Sequence, residues 1–408
     1  MAGEGSRQGA LSRVWRALGP GLVTGAADDD PSGIATYSQA GAQFGYALTW
    51  TMFLTLPFMA AIQIISACIG WQTRRGLARN IAQQFPPVVL YVLVALLVVA
   101  NTINIAADLA AMGEALTLVV FLPYHRYAGI LKFLTLVLFV YVATAFTVRI
   151  PWGTVLVSTF APTLSLDRDY LLTIVAVFGT TISPYLFFWQ ASQEAEESRL
   201  SHRHRLRRHA GAPDDFFTHI AIDTWVGMFL SNFVAFFIIV TTAATLNASG
   251  VTKIDTAAQA AEALRPIAGE LTFFLFACGI IGTGLLAVPV LAGSAAYAVT
   301  EAFGLRGSLE LPAGRAIGFY SIVGAATLGG AALAATKIDP IAMLFWTAVI
   351  NGVVAVPIMV AMMWVVSSRK GGIAITLPHW IKVLGWLAAA LMALTVALLV
   401  WSSIGSKA

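Results

Sequence analysis

Asp28-Asp29-Asp30-Pro31-Ser32-Gly33 stands in the middle of an apolar stretch running from 17 to 46, and its reading decides the fold. In a soluble protein such a string would be a surface turn between two short helices. Here the flanking sequence is apolar over the roughly 20 residues that cross a bilayer core. A carboxylate near the bilayer centre costs roughly 2.5–3.5 kcal/mol even on lenient insertion scales, so three of them need compensation. Pro31 removes a backbone donor and Gly33 relaxes the chain, which predicts that the helix unwinds at this point. Unwound backbone is tolerated at membrane depth only where it faces protein or a watery cavity. Carboxylates and freed carbonyls converging in such a cavity make a hard-oxygen cation site. Asp28 ranks below Asp29 and Asp30, being equally placed to cap a helix or line a vestibule.

The rest of the chain has the same character. Of 408 residues 58% are hydrophobic and only 11% charged, too few charges to clothe a water-soluble fold of this length. Predicted spans are 17–46, 48–72, 87–118, 129–148, 170–193, 218–246, 270–300, 315–335, 340–366 and 379–402, with 149–169 as an aqueous connection. The span 170–193 carries a second break, Gly179-Thr180-Thr181-Ile182-Ser183-Pro184-Tyr185, again with a proline after small hydroxyl residues. Two interrupted helices, one early in each half, point to a secondary transporter built from inverted repeats with its substrate between the breaks. The domain reading is a tail at 1–16, one transport domain at 17–366 with repeats near 17–148 and 170–366, and a peripheral helix at 379–402.

Net charge is +4, but the basic residues sit in short loops, which sets orientation and argues against a nucleic-acid face. Arg74, Arg75, Arg79, the run Arg199–Arg208 and Arg369/Lys370 are expected in the cytoplasm together with the N-terminus, in a multi-pass cell-membrane protein. No cleavable signal pattern is visible, and Cys68 and Cys278 read as packed small hydrophobes. One count fails. Arg74–Arg79 and Arg126/Lys132 both ask to be cytoplasmic, yet 87–122 holds one long span and about ten further apolar residues, not two crossings.

Gly19-Pro20-Gly21, the broken segment and Gln39-Ala40-Gly41-Ala42-Gln43-Phe44-Gly45 resemble the first helix of the NRAMP family of divalent-metal transporters. The family's Asp-Pro-Gly-Asn appears as Asp30-Pro31-Ser32-Gly33, and its Ala-Thr-Val-Met-Pro-His as Thr180 to Tyr185. Its Asp-Leu-Ala-Glu appears as Asp108-Leu109-Ala110-Ala111. The resemblance implies an all-α integral membrane protein with a LeuT-like inverted-repeat bundle, helices one and six broken. It also implies about ten spans, the family's fourth helix, which precedes Pro123-Tyr124-His125-Arg126, being absent. That absence explains the failed count and puts transport competence in question. By position the family's metal ligands become Asp30, Gly33 and Ser183, so the soft thioether that favours transition metals is lost. An all-oxygen site with paired Asp29 and Asp30, backbone oxygens near Gly33 and Thr180, and the Ser183 hydroxyl suits an ion that keeps part of its water shell, as Mg²⁺ does. The pattern is similar to the NRAMP-related magnesium transporters of prokaryotes. The family's proton-path His and Glu become Tyr185 and Ala111, which do not titrate near neutral pH.

The expectation is therefore transport of Mg²⁺, with Mn²⁺ as a second candidate, by alternating access without proton coupling. The alternatives are a proton-coupled Mn²⁺/Fe²⁺ carrier and a transport-deficient paralogue. The metal is cargo, with no cofactor, no obligate protein partner and no partner beyond the lipid bilayer expected. Asp108, Tyr185 and Asn351 are secondary path candidates. For Asp108, with Asn101 and Asn104, the competing reading is polar glue between helices. For Ser183 and Thr180 it is bonding back to freed carbonyls of a kinked helix. Glu194, Glu196 and Glu197 are placed in an inward vestibule, and His202–His209 on anionic lipid. An intramembrane Mg²⁺-dependent enzyme wants Asp-x-x-x-Asp sets, and Ile34 stands where the second Asp would be. An amino-acid symporter would offer helix N-termini and apolar space, not clustered carboxylates.

Overall fold

A computed structural model describes residues 20–117, 135–208, 216–309, 311–336, 338–368 and 375–405. The tail at 1–16, the segment Pro123–Arg126 with Lys132, and Arg369/Lys370 lie outside the described residues, and with them the fate of a fourth helix. Every regular element among the described residues is helical. The main ones are α1 (Pro20–Asp28), α2 (Pro31–Phe44), α3 (Thr49–Thr73), α4 (Pro87–Thr117), α5 (Phe139–Thr147), α6 (Trp152–Phe160) and α7 (Arg168–Thr181). They continue with α8 (Pro184–Arg208), α9 (Phe216–Thr245), α10 (Thr272–Ala302), α11 (Ile317–Ala334), α12 (Pro340–Ser367) and α13 (His379–Gly405).

Each break is followed by a proline that opens the next helix, and the first is also capped. Asp30 has extended backbone (φ −68°, ψ 169°) and its carboxylate accepts from Gly33 N–H at 2.8 Å, capping α2, whose first residue is Pro31. A proline at the first helical position loses nothing, because that N–H has no partner inside the helix. Pro184 opens α8 in the same way after α7 ends at Thr181. The first break is thus narrower than the sequence suggested: only Asp29 and Asp30 leave the helix, and Gly33 lies inside α2.

Packing is reciprocal between the two halves. α1 and α2 lie on α9, α8 lies on α3, and α4 packs along α10. The close approaches repeat as well. A Cβ on Gly25 of α1 would stand 2.4 Å from the Gly227 backbone of α9, and one on Gly70 of α3 would stand 2.0 Å from Ala191 O of α8. Small residues let membrane helices meet backbone to backbone. This exchange is what an inverted repeat requires of its two broken helices. α11 and α13 sit outside with large apolar side chains such as Leu328, Leu387 and Leu394 exposed, as a lipid-facing surface demands.

One expectation needs correction. The 149–169 connection contains α6, a nine-residue helix whose Thr159 Oγ1 donates to Thr49 Oγ1 at 2.9 Å. Trp152, Leu156, Val157 and Phe160 on its other face are exposed, so its apolar residues were spaced for a short helix and not for a loop in water. Of the span expected at 129–148, 135–147 is helical, a four-residue 3₁₀ turn followed by α5, and 129–134 lies outside the described residues.

At the end bearing the arginine clusters, α3 stops at Arg74 in the left-handed conformation (φ 55°). The Arg199 guanidinium of α8 donates to the Arg74 carbonyl at 2.6 and 2.8 Å, placing a cation on the negative end of α3.

Candidate functional site

The two breaks face each other. Tyr185, one residue into α8, donates its hydroxyl to Ala27 O at 2.9 Å and lies 3.5 Å from Asp30 Oδ2. Ala27 O is one of the carbonyls freed at the end of α1. On the other side a Cβ at Gly33 would lie 3.2 Å from Thr180 Oγ1, 3.3 Å from Tyr37 Cε2 and 3.4 Å from Asp28 O, so Gly33 packs closely against the second break and the Tyr37 ring.

The aspartates divide between two neighbours, a point the sequence misplaced. Asp30 turns toward α4: its Oδ1 accepts from Ser32 Oγ at 2.6 Å and Gly33 N, and its Oδ2 accepts from Asn104 Nδ2 at 3.0 Å. Asp29 is not the partner of Asp30. It shares with Asp28 the hydroxyl of Ser231 on α9, at 3.0 Å from Asp29 Oδ1 and 2.6 Å from Asp28 Oδ2. Adjacent residues at a helix end project in different directions, so contiguity in sequence did not make Asp29 and Asp30 a chelating pair. Ser231 was not foreseen; its only sequence signal is a hydroxyl beside Asn232 within an apolar run.

Asp108 lies one turn beyond Asn104 on α4, fully buried, with no hydrogen bond to either carboxylate oxygen. Asn351 of α12 is also buried with both amide atoms unbonded, next to Gly352, whose backbone meets Gly179 of α7. Ser183 takes the alternative reading: its hydroxyl donates to Gly179 O at 2.7 Å and Thr180 O at 2.9 Å, satisfying carbonyls of the interrupted helix. Its lone pairs remain as the only means by which that side chain can meet a cation. One thioether the sequence reading passed over approaches the first break: Met112 Sδ fills the space beside Gly284 that Pro31 Cγ also borders.

Four carboxylates, Asp28, Asp29, Asp30 and Asp108, are therefore buried, and among the described residues no Lys, Arg or His pairs with them. Uncompensated charge of that density is held in a low-dielectric interior only against a cation or a proton. A cavity lies toward each end of the bundle. A cavity of about 380 Å³ is lined by Ala35, Gln39, Thr173, Asp169, Asp255 and Asp339, with Lys253 at its rim. Lys253 pairs with Asp255 at 2.5 Å, which holds its ammonium above the usual range, so among the described residues three carboxylates face one cation. Such a mouth raises the local concentration of cations. At the opposite end a cavity of about 240 Å³ is lined by Pro20, Gln193, Glu196, Glu197, Leu200 and Leu309. Glu194 accepts from Gln190 Nε2 at 3.2 Å instead of facing open space. Between the cavities α1 seals the path. Gly21 N–H donates to Asp223 Oδ2 at 2.6 Å, and Thr24 is hydrogen-bonded to Gln190.

A helical bundle with two facing helix breaks and buried carboxylates at and beside the first of them defines a broken-helix membrane carrier. The description "Natural resistance-associated macrophage protein-like" matches residues 21–125 and 116–402, and the chain belongs to that Nramp family. Curated relatives include the divalent metal cation transporter MntH of Klebsiella pneumoniae, 26% identical over 99% of this chain and 97% of that protein. The protein of the same name from Yersinia enterocolitica is 27% identical over 67% of this chain and 69% of that protein. Among solved structures, the Eremococcus coleocola manganese transporter bound to an aromatic bis-isothiourea compound superposes with a TM-score of 0.64 at 14% identity. It covers 99% of this chain and 96% of its own, and this likeness concerns the fold. The relatives' names are those of transporters, in keeping with the expectation that the chain is not an enzyme.

Proposed function

We propose that this Nramp-family chain carries a divalent metal cation across the membrane by alternating access, and that its preferred cargo is Mg²⁺, moved without coupled protons. The observation that carries the reading is the set of buried carboxylates at and beside the first break, bonded to Asn104 and Ser231 and lacking a basic counter-charge among the described residues. Asp30 supplies the charge nearest the second break. Asp29 acts through the Ser231 side, and Gly33 and Thr180 stand close to each other where the two breaks meet. The position that carries the family's soft ligand is Ser183, so hard ions are favoured over soft ones. Tyr185 and Ala111 stand where the family's proton path has titrating groups, which supports uncoupled movement down a gradient. The end bearing Arg74, Arg79 and Arg199 is assigned to the cytoplasm, because short basic loops are retained there.

A second reading rests on one contact. Met112 Sδ and Pro31 Cγ border the same point beside Gly284, and a thioether brought into the break from there would restore preference for Mn²⁺. Proteoliposomes loaded with a metal-sensitive dye and, in parallel, a pH dye separate the two. Uptake of Mg²⁺ in competition with Mn²⁺ and without acidification supports the first reading. Mn²⁺ uptake that Mg²⁺ fails to inhibit, accompanied by acidification, supports the second.

A further inference from the structure

We propose that Asp108 and Asn104 of α4 coordinate the transported cation directly, so that the ion rests between the N-cap of α2 and the side of α4 and not between the two helix breaks alone. The proposal rests on the reading of the chamber as the transport site and specifies which wall holds the ion.

The three polar residues of α4 behave differently, although they recur at helical spacing. Asn101 is interhelical glue: its Nδ2 donates to Leu291 O at 2.9 Å and Ser294 Oγ at 2.8 Å on α10. Asn104 spends its amide donor on Asp30 at 3.0 Å, and its Oδ1 has no partner. Asp108, one turn further on the same face, is completely buried with both oxygens unbonded, close enough to Asp30 for their charges to interact. A residue retained for helix–helix adhesion would show a donor across the interface, as Asn101 does. A fully buried carboxylate with neither oxygen satisfied is among the costliest arrangements a protein interior can hold. Asp108 is rationalised by a cation that supplies what the protein does not.

The opposite wall strengthens the case. Ser183 has committed its proton to carbonyls of its own helix, and Thr180 presents one hydroxyl. The second break thus offers a hard ion little charge, whereas α2 and α4 carry two carboxylates, Asp30 and Asp108, and between them Asn104, which is bonded to Asp30 and keeps an unpartnered amide oxygen. Water would complete such a shell, the partly hydrated arrangement that Mg²⁺ favours. This makes α4 the specificity-determining wall. It also places Met112, one turn past Asp108, on the side of the ion.

Titration calorimetry on the purified full chain with Mg²⁺ and with Mn²⁺ tests the assignment, comparing Asp108→Asn with Asp30→Asn and the glue variant Asn101→Ala. Asp108→Asn is expected to weaken Mg²⁺ at least tenfold and Mn²⁺ less, with the metal-free melting temperature unchanged or raised. Asn101→Ala is expected to lower the melting temperature and leave the Mg²⁺/Mn²⁺ ratio alone. In a Cys68→Ala/Cys278→Ala background, Asp108→Cys should bind Cd²⁺ with thiolate-to-metal absorption in the near ultraviolet. Affinity of Asp108→Asn within twofold of the parent overturns the proposal. Weakened binding without the Cd²⁺ absorption overturns direct coordination and makes Asp108 a positioning residue. If Asp30→Asn is equally silent, the chamber itself is not the transport site. If Asp30→Asn abolishes binding while Asp108→Asn does not, only the role of α4 fails.

Discussion

Replacing Gly25 by alanine should unlatch the end of the carrier that α1 closes. A Cβ on Gly25 would sit 2.4 Å from Gly227 C and O and 2.6 Å from its Cα, all backbone atoms that cannot rotate away. Ordinary contact is about an ångström longer, so α1 must lift from α9 or both helices must shift. Inserting a methyl into a close-packed contact costs typically about 1–3 kcal/mol. The strain falls on the state in which α1 and α9 touch and vanishes when α1 swings away. The equilibrium should therefore move toward the open end by about 5–150-fold, the ratio equivalent to that energy. Thr224 is a suitable reporter: it is fully buried, and its backbone N would lie 2.8 Å from a Cβ on Gly21. In a Cys68→Ala/Cys278→Ala background, Thr224→Cys should react slowly with a membrane-impermeant maleimide and at least fivefold faster once Gly25→Ala is added. Asp223→Asn, which weakens the bond to Gly21 N–H, should shift labelling the same way by less. An unchanged labelling rate in a variant that still elutes as folded protein would refute the latch.

Two further outcomes follow from the chamber. Tyr185→Phe strands Ala27 O without its donor and should lower stability by about 1–3 kcal/mol, read as a reduced midpoint of thermal unfolding; on the proposed uncoupled mechanism, the dependence of uptake on external pH should stay flat. Ser231→Ala removes the only hydrogen bonds seen for Asp28 and Asp29 side chains among the described residues. Calorimetry should then show weaker metal binding, several-fold and less than for Asp30→Asn, and equal affinities would separate Asp28 and Asp29 from the ion's path.

The breaks were legible because of what precedes each proline. Pro31 and Pro184 follow Asp30 and Ser183, polar residues that bond the local backbone, and there the helix stops and restarts. Pro57, Pro289 and Pro357 follow Leu56, Val288 and Val356 and lie inside continuous helices. Apolar length located most spans for the same reason, with edges within a few residues. Direction was not legible. Whether Asp29 turns toward Asp30 or toward Asp28 depends on the backbone angle at the break, and whether Ser183 faces the gap or its own carbonyls depends on a rotamer. Ser231 and Met112 become neighbours of the break only through the crossing of α9 and α4 over it, a tertiary fact with no local signature. α6 was missed because Pro151, Pro162 and the charges at 167–169 outweighed nine helix-compatible residues between them.

Uptake of Mg²⁺ into proteoliposomes, parent against Asp30→Asn, bears most directly on the account. Asn serves as well as Asp at an N-cap, so the fold and the start of α2 should survive while the charge is lost. The parent should accumulate Mg²⁺ down its gradient and Asp30→Asn should fall to the rate of empty vesicles. Equal uptake by the two proteins would contradict the placement of the transported ion at the facing breaks.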